Sequence, residues 1–352
     1  MKTINLDKAM ICILLCLFIS SWANAQSETA FTIKVTYSKT GNINVTRLIS
    51  LMPVPLTNEY QEISQLSAVN GKFFDINAAN KILFYDGLLS NNPFVVSESF
   101  VYKSKPIQID FNDKGNKNEV SGIDPNNYLG SDGTYIDLNN STIKEIGDQL
   151  WKQSTDALDY ARHCYEYVAS NYSYINGSWR TLEQILSTGG GECGDFTTLF
   201  VNLARYKGIP ARHNIGVWKN GGFHVWPDFY HEDYGWIPVD PTFKNSNPYA
   251  DYFGRYDGDL IIVSQGLTSF SINSFEVNQI PLQTYAYWYW YNNGQGNITA
   301  TYKASIDEQV NAINPIHETC QEANTIYNLN GMKLTKPQKG INIIGGRKVV
   351  IK

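Results

Sequence analysis

The chain has 352 residues, 43% hydrophobic and 17% charged, which is long enough for two or three domains around a sizeable core. A formal net charge of −5 without a basic patch gives no electrostatic case for nucleic acid as a partner. The 23 Tyr and 8 Trp lean towards a protein that works on polymers outside the cytoplasm.

Residues 1–25 read as an export signal. Lys2 and Lys8 precede the apolar run "AMICILLCLFISSW", and "ANAQ" supplies an Ala-x-Ala site with cleavage after Ala25. The run is shorter than the ~20 residues that a membrane span needs. Cys16 in "ILLCL" lacks the preceding small residue of a lipoprotein. No later segment is apolar enough to cross a bilayer, so no integral membrane segment is expected after signal removal. Cleavage leaves Cys164, Cys193 and Cys320, an odd number, so at least one thiol is unpaired within the chain.

Residues 26–125 carry strand signals: "FTIKVTY", "NINVTRLISLMPV", "FVVSESFVYKS" and "PIQIDF", interrupted by Pro53, Pro55, Gly71, Pro93 and Pro106. An antiparallel β-sandwich is the expectation. The turn-rich stretch 112–133 reads as the linker. A second domain, 140–304, opens with helical periodicity: Leu158, Ala161, Tyr165, Val168 and Tyr172 form one stripe. Cys164 beside it reads as a buried, inert thiol. A further helix starts at Cys193, with Phe196, Leu199, Phe200, Leu203 and Ala204 facing the core and Gly208 and Pro210 ending it. Strands return over 211–263. "YAYWYWYNNGQGNITATYK" reads as a hairpin turning at Asn-Gly, with an aromatic face able to hold sugar or peptide or to pack on a sheet. Residues 318–352 form a small β module of three strands, with turns at Gly331, Gly340 and Gly345–Gly346.

The chemistry centres on "GGGECGDFTTLFVNLARYKGIPAR". A cysteine at a helix start gains from free N–H groups and the helix dipole, which favour a thiolate and can also serve an oxyanion. His224 lies in "FHVWPDFY" and Asp240 in "GWIPVDPTF". A thiol nucleophile needs a base, and the base needs a third group to set its tautomer. Strand alternation places His224 on one face with Trp226 and Asp228, where Trp226 can shield the pair from water. A metal cluster of His224, Asp228, His231, Glu232 and Asp233 matches no zinc spacing, so neither metal nor cofactor is expected.

Together the three stretches resemble the transglutaminase-like superfamily, over roughly residues 145–250. The resemblance implies a papain-like α+β core with a Cys-His-Asp triad: Cys193 as nucleophile, His224 as general base, Asp240 as its orienting partner. The backbone N–H of Cys193 then serves the oxyanion hole, and Tyr174 or Trp179 is the candidate second donor. The tail, "IYNLNGMKL" followed by "KGINIIGGRKVVIK", resembles the C-terminal sorting domain of type IX secretion known from Bacteroidetes. That resemblance implies the cell surface or the extracellular space, with the periplasm as the remaining compartment. The expected protein is thus an α+β exported thiol hydrolase that cleaves peptide or amide bonds of a peptide or protein through a thioester. The alternatives are a cross-linking protein-glutamine amine acyltransferase, or a non-catalytic surface protein that binds a peptide or a cell-surface polymer.

Overall fold

A computed structural model describes residues 28–306, except 119–122, 178, 219–220, 273–274 and 281–284, and in the tail residues 326–328, 333–334, 340–344 and 347–351. The export signal and Cys320 lie outside the described residues. The chain divides into two compact units, Met1–Glu308 and Gln309–Lys352.

In the first unit, β1 (Thr29–Val54), β2 (Gln61–Val69), β3 (Lys72–Asn77), β4 (Asn80–Gly87) and β5 (Phe94–Ser104) form an antiparallel sheet in the order β2-β5-β1-β4-β3. Strict alternation drives β1: Phe31, Ile33, Val35 and Tyr37 are buried, and the residues between them are half-exposed. β5 pairs with the first part of β1 and β4 with its last part, so one strand serves both halves. The expected sandwich therefore takes the form of a single sheet, these five strands and a sixth from later in the chain that pairs with β1, with Phe31, Val35 and Leu83 in one apolar cluster and Ile49, Leu51, Ile82 and Phe84 in another.

The short β6 (Ile107–Gln108) leads into the preceding linker region, which is not a free connection. Its Asn118 bridges Gly235, donating from N to Tyr234 O at 2.8 Å and accepting from Trp236 N at 2.8 Å. Helices α1 (Ser141–Gln153) and α2 (Ala157–Asn171) follow, then β7 (Ser173–Tyr174), α3 (Leu182–Thr188) and β8 (Gly190–Gly191). Ala161, Tyr165, Val168 and Tyr172 of the expected stripe are buried, as is Cys164. Helix α4 (Cys193–Tyr206) runs through the middle of this core. Its burial exceeds a stripe: all of Cys193 to Ala204 is buried, including Asp195, Thr197, Thr198 and Asn202. These polar groups are tolerated because they are bonded, Thr197 to Cys193 O and Val225 O, Thr198 to His213, and Asn202 to Tyr135 O.

Against α4 lies a four-stranded antiparallel sheet. It comprises β9 (Ala211–Trp218), β10 (Phe223–His231), β11 (Gly235–Pro238) and, after α5 (Pro241–Ser246) and β12 (Arg255–Tyr256), β13 (Leu260–Gln265), in the order β11-β10-β9-β13. Ile215, Val217, Val225, Ile261 and Val263 of this sheet share a core with Phe31, Val35, Val96 and Phe100 of the N-terminal sheet. The two regions are thereby packed into one body.

β14 (Thr268–Ile272) and β15 (Phe275–Ile280) form a ribbon, and β16 (Tyr287–Ile306) closes the unit. The expected hairpin over 285–303 does not form. β16 is one strand of 20 residues that pairs along β1 from Phe31 to Leu51. The glycines taken as a turn instead let the long ribbon bend: Gly296 faces Gly41, and a Cβ on Gly296 would stand 2.3 Å from Thr40 O. A partner already as long as β16 outweighs a local turn signal.

The second unit is a four-stranded antiparallel sheet: β17 (Ile326–Asn328), β18 (Lys333–Leu334), β19 (Gly340–Ile344) and β20 (Arg347–Ile351), in the order β18-β17-β19-β20. Four strands replace the expected three. Gly340 opens β19 rather than making a turn, and Gly331 and Gly345–Gly346 lie outside the described residues.

Candidate active site

The glycine run before Cys193 has a separate cause at each position. Gly189 has φ 67°, the left-handed residue that ends α3. A Cβ on Gly190 would lie 2.2 Å from Ser173 O, and one on Gly191 2.2 Å from Asp195 Oδ2. Glycine thus lets β8 run beside β7 and lets Asp195 fold back under the helix start. Asp195 Oδ2 accepts from Glu192 N at 2.9 Å and from Arg180 Nη1 at 2.8 Å. This fastening fixes where α4 begins, and Cys193 is its first residue, only 8% exposed. Asp195 N already donates to Glu192 O at 2.9 Å, so of the first three N–H groups of α4 those of Cys193 and Gly194 are the ones without an acceptor inside the helix.

His224, 5% exposed, is the second residue of β10. Its Nε2 meets Asp240 Oδ2 at 2.6 Å. The Asp240 carboxylate has two tasks, since its Oδ1 accepts from Phe243 N at 2.8 Å and caps α5, with Pro241 in the first helical position. The helix cap and the contact with the imidazole thus use different oxygens of one carboxylate. With Nε2 engaged by Asp240, Nδ1 is the ring nitrogen left for the Cys193 thiol, which is close enough to help raise the imidazole. Burial pulls the His224 pKa down, but the Asp240 carboxylate and then Cys193 outweigh it and raise the imidazole to about 10. Rings hold its plane: Phe243 stacks at 4.5 Å and 3°, with Trp226 at 5.9 Å and Trp218 at 6.2 Å. Gly216, opposite His224 on β9, makes room for Trp226, because a Cβ there would stand 2.9 Å from the indole.

The two candidate second donors separate. Tyr174 pairs with Gly191 across β7 and β8 and is 47% exposed. Burial and then the Cys193 sulfur raise its phenol pKa. Trp179 turns elsewhere. Its ring meets Tyr135 at 5.4 Å and His213 at 5.9 Å, and its buried Nε1 has no partner. Burial and then Arg205 push His213 down to about 3, so that ring is neutral. Asp228, on the His224 face, is committed to Arg212.

Residues 144–241 match the Transglutaminase-like superfamily. This segment is a transglutaminase-like core. It is strand-rich α+β, and the match includes all of Cys193, His224 and Asp240. A crystal structure of a candidate cysteine protease from Cytophaga hutchinsonii has the same fold at a TM-score of 0.53, with 16% identity, 80% of this chain covered and 91% of that one. The periplasmic domain of TgpA from Pseudomonas aeruginosa aligns over 63% of this chain and 89% of its own at 14% identity, with a TM-score of only 0.33. An uncharacterized protein of Haemophilus influenzae is 29% identical over 169 residues, which is 39% of this chain and 45% of that protein, less than half its length.

Sequence patterning did not single out Phe243, Trp218 or Arg180. The Asp-Pro cap puts Phe243 at the third helical position, a signal that could have placed it under the imidazole. Arg180 carries no such mark, since its partner Asp195 is 15 residues away and reached only through the fold.

Proposed function

We propose that the chain is an exported thiol hydrolase that cleaves a peptide or protein at an amide bond through a thioester on Cys193. The observation that carries this reading is the buried relay from Cys193 through His224 to Asp240, closed by the 2.6 Å contact at Nε2. An imidazole raised to about 10 is a cation at neutral pH, and a cation beside a sulfur at a helix start favours the thiolate.

The thiolate attacks the amide carbonyl. The oxyanion is met by first-turn N–H groups of α4 and by the Tyr174 hydroxyl. His224 passes its Nδ1 proton to the leaving amine as the C–N bond breaks, which leaves the thioester. The neutral imidazole then takes a proton from water, hydroxide adds to the acyl carbon, and the acid departs as thiolate and imidazolium re-form. An amine in place of water would give cross-linking, which incorporation of a labelled amine would reveal. Asp240 holds the tautomer that makes both transfers possible.

The deciding experiment is iodoacetamide labelling of the mature protein, read by mass spectrometry. Fast labelling at Cys193 near about pH 6, lost in His224→Ala, is expected. Cys193 labelling no faster than Cys164 or Cys320 would overturn the reading in favour of a binding protein. Export rests on the signal-like first 25 residues and the sorting-like tail. No described helix is long and apolar enough to cross a membrane. Deleting residues 318–352 should redistribute the protein in its cell without changing turnover, and an unaltered distribution would remove the sorting role.

A further inference from the structure

The face of β10 that α4 covers continues past the nucleophile into a line of aromatic rings. Thr197 Oγ1 bonds both Cys193 O at 2.9 Å and Val225 O at 3.2 Å, so Val225 lies beside the helix start. Phe223 is two residues along the same strand and on the same face. Its ring lies 4.3 Å from that of Tyr285, which stacks on Tyr302 at 5.5 Å and 20°. Tyr302 in turn accepts from Trp288 Nε1 at 3.0 Å, and Trp288 stacks on Trp290 at 5.1 Å. Each of these rings is partly open to solvent, Tyr302 the most at 41%. Phe223, Tyr285, Trp288 and Trp290 pack against the same apolar cluster that contains Cys193.

We infer that these five side chains form a substrate rail that receives the apolar side chains of an extended polypeptide whose scissile carbonyl sits at Cys193. The inference rests on the hydrolase reading of Cys193. Its occupant follows from what the rings have left to offer. The Tyr285 hydroxyl accepts from Gly222 N at 2.9 Å, and the Trp288 indole N–H is spent on Tyr302. None of the five is charged. The exposed remainder is ring surface, which gains by burying aliphatic and aromatic groups. A sugar would need hydrogen-bond partners for its hydroxyls, and here the Trp288 N–H and the oxygens of Tyr285 and Tyr302 are already engaged. The rail also explains why a strand of the N-terminal sheet carries so many aromatics where the sheet borders the catalytic strand.

The test is binding of the full-length Cys193→Ala protein to an array of short linear peptides, beside labelling of the unmutated protein. Peptides with Leu, Ile, Phe or Tyr in an extended run are expected to be retained. Tyr285→Ser with Tyr302→Ser should weaken their binding roughly tenfold while leaving the rate of Cys193 labelling unchanged. Tyr302→Phe, which keeps the ring, should restore most of the loss associated with that position, so that a folding defect is not mistaken for a lost subsite. Unchanged binding in the double variant, retention that follows charge instead of apolar content, or displacement of the peptides by a soluble cellulose oligosaccharide would overturn the rail. Unselective labelling of Cys193 would overturn the hydrolase reading itself, and with it the assignment of the bound peptide as substrate.

Discussion

Two residues carry opposite electrostatic histories. At His224, burial opposes the charge and Asp240 overrules it, so the cation is the folded-state form up to about pH 10. Its folded pKa lies above its ordinary value of 6.5, so this stabilisation is fully present below pH 6.5 and is lost as pH rises through about 10. Asp240→Asn keeps a good helix cap but removes the charge. Turnover should fall by roughly 10³–10⁴-fold, and the decline of stability between pH 6.5 and 10 should flatten in urea titrations. Near-normal turnover would remove Asp240 from the mechanism. Glu98 is the reverse case. It faces the core of the N-terminal sheet, fully buried, with neither carboxylate oxygen bonded, and burial alone raises its pKa well above 4.5. The folded state keeps a proton that the unfolded chain releases above 4.5, so stability falls as pH rises, by up to about 1.4 kcal/mol per pH unit. Glu98→Gln should match the parent at acid pH and exceed it at neutrality, measured by denaturation midpoints. Equal midpoints at neutral pH would mean that Glu98 has a partner.

At the scale of elements, the start of α4 matters more than its length. The helix dipole and first-turn donors act only where the helix begins, and Asp195, Arg180 and Gly191 determine that point. Gly191→Ala places a methyl within 2.2 Å of Asp195 Oδ2. Asp195 must then move, and its bonds to Glu192 N and Arg180 are strained or lost. A drop in kcat of about tenfold to a hundredfold is expected, from misplacement of Cys193 by a fraction of its bond distance, with a smaller effect on KM. Full activity in that variant would show that the cap does not place the sulfur. β10 is the matching element: one face presents His224, Trp226 and Asp228, and the other sets Phe229 against Phe200 of α4.

Across the whole first unit, the N-terminal sheet and the β11-β10-β9-β13 sheet are joined by charge as well as by core. Arg212 of β9 donates to Asp228 at 3.0 Å and 3.1 Å and to Glu59 at 3.1 Å, while Tyr60 OH donates to Asp228 at 2.8 Å. Arg212, Asp228 and Glu59 have fully buried side chains, and Trp236 covers the guanidinium at 3.8 Å. Arg212→Met would leave two buried carboxylates without their cation, a loss of about 3–5 kcal/mol. One transition, shifted to lower denaturant and common to both regions, is expected by fluorescence and circular dichroism. Two separated transitions would show that the sheets fold independently. No local pattern pointed to this cluster, because Glu59 and Arg212 are 153 residues apart and each reads alone as an ordinary surface charge.

Local order and near-neighbour chemistry were legible in the residues themselves. Helix periodicity, the glycine stop at Gly208 and the alternation of β1 are short-range patterns, and short-range forces produce them, whereas the Cys-His-Asp order was legible only through the resemblance to a family. Tertiary structure decided the pairings that bring distant chain together: β16 as one strand along β1 instead of a hairpin, Trp179 against Tyr135 and His213, Phe243 under the imidazole, and Glu59 against Arg212. The physical reason is common to all four. Each depends on which buried surfaces and charges meet after collapse, and the gain from that meeting exceeds the few tenths of a kcal/mol to about 1 kcal/mol that a local turn or propensity signal contributes.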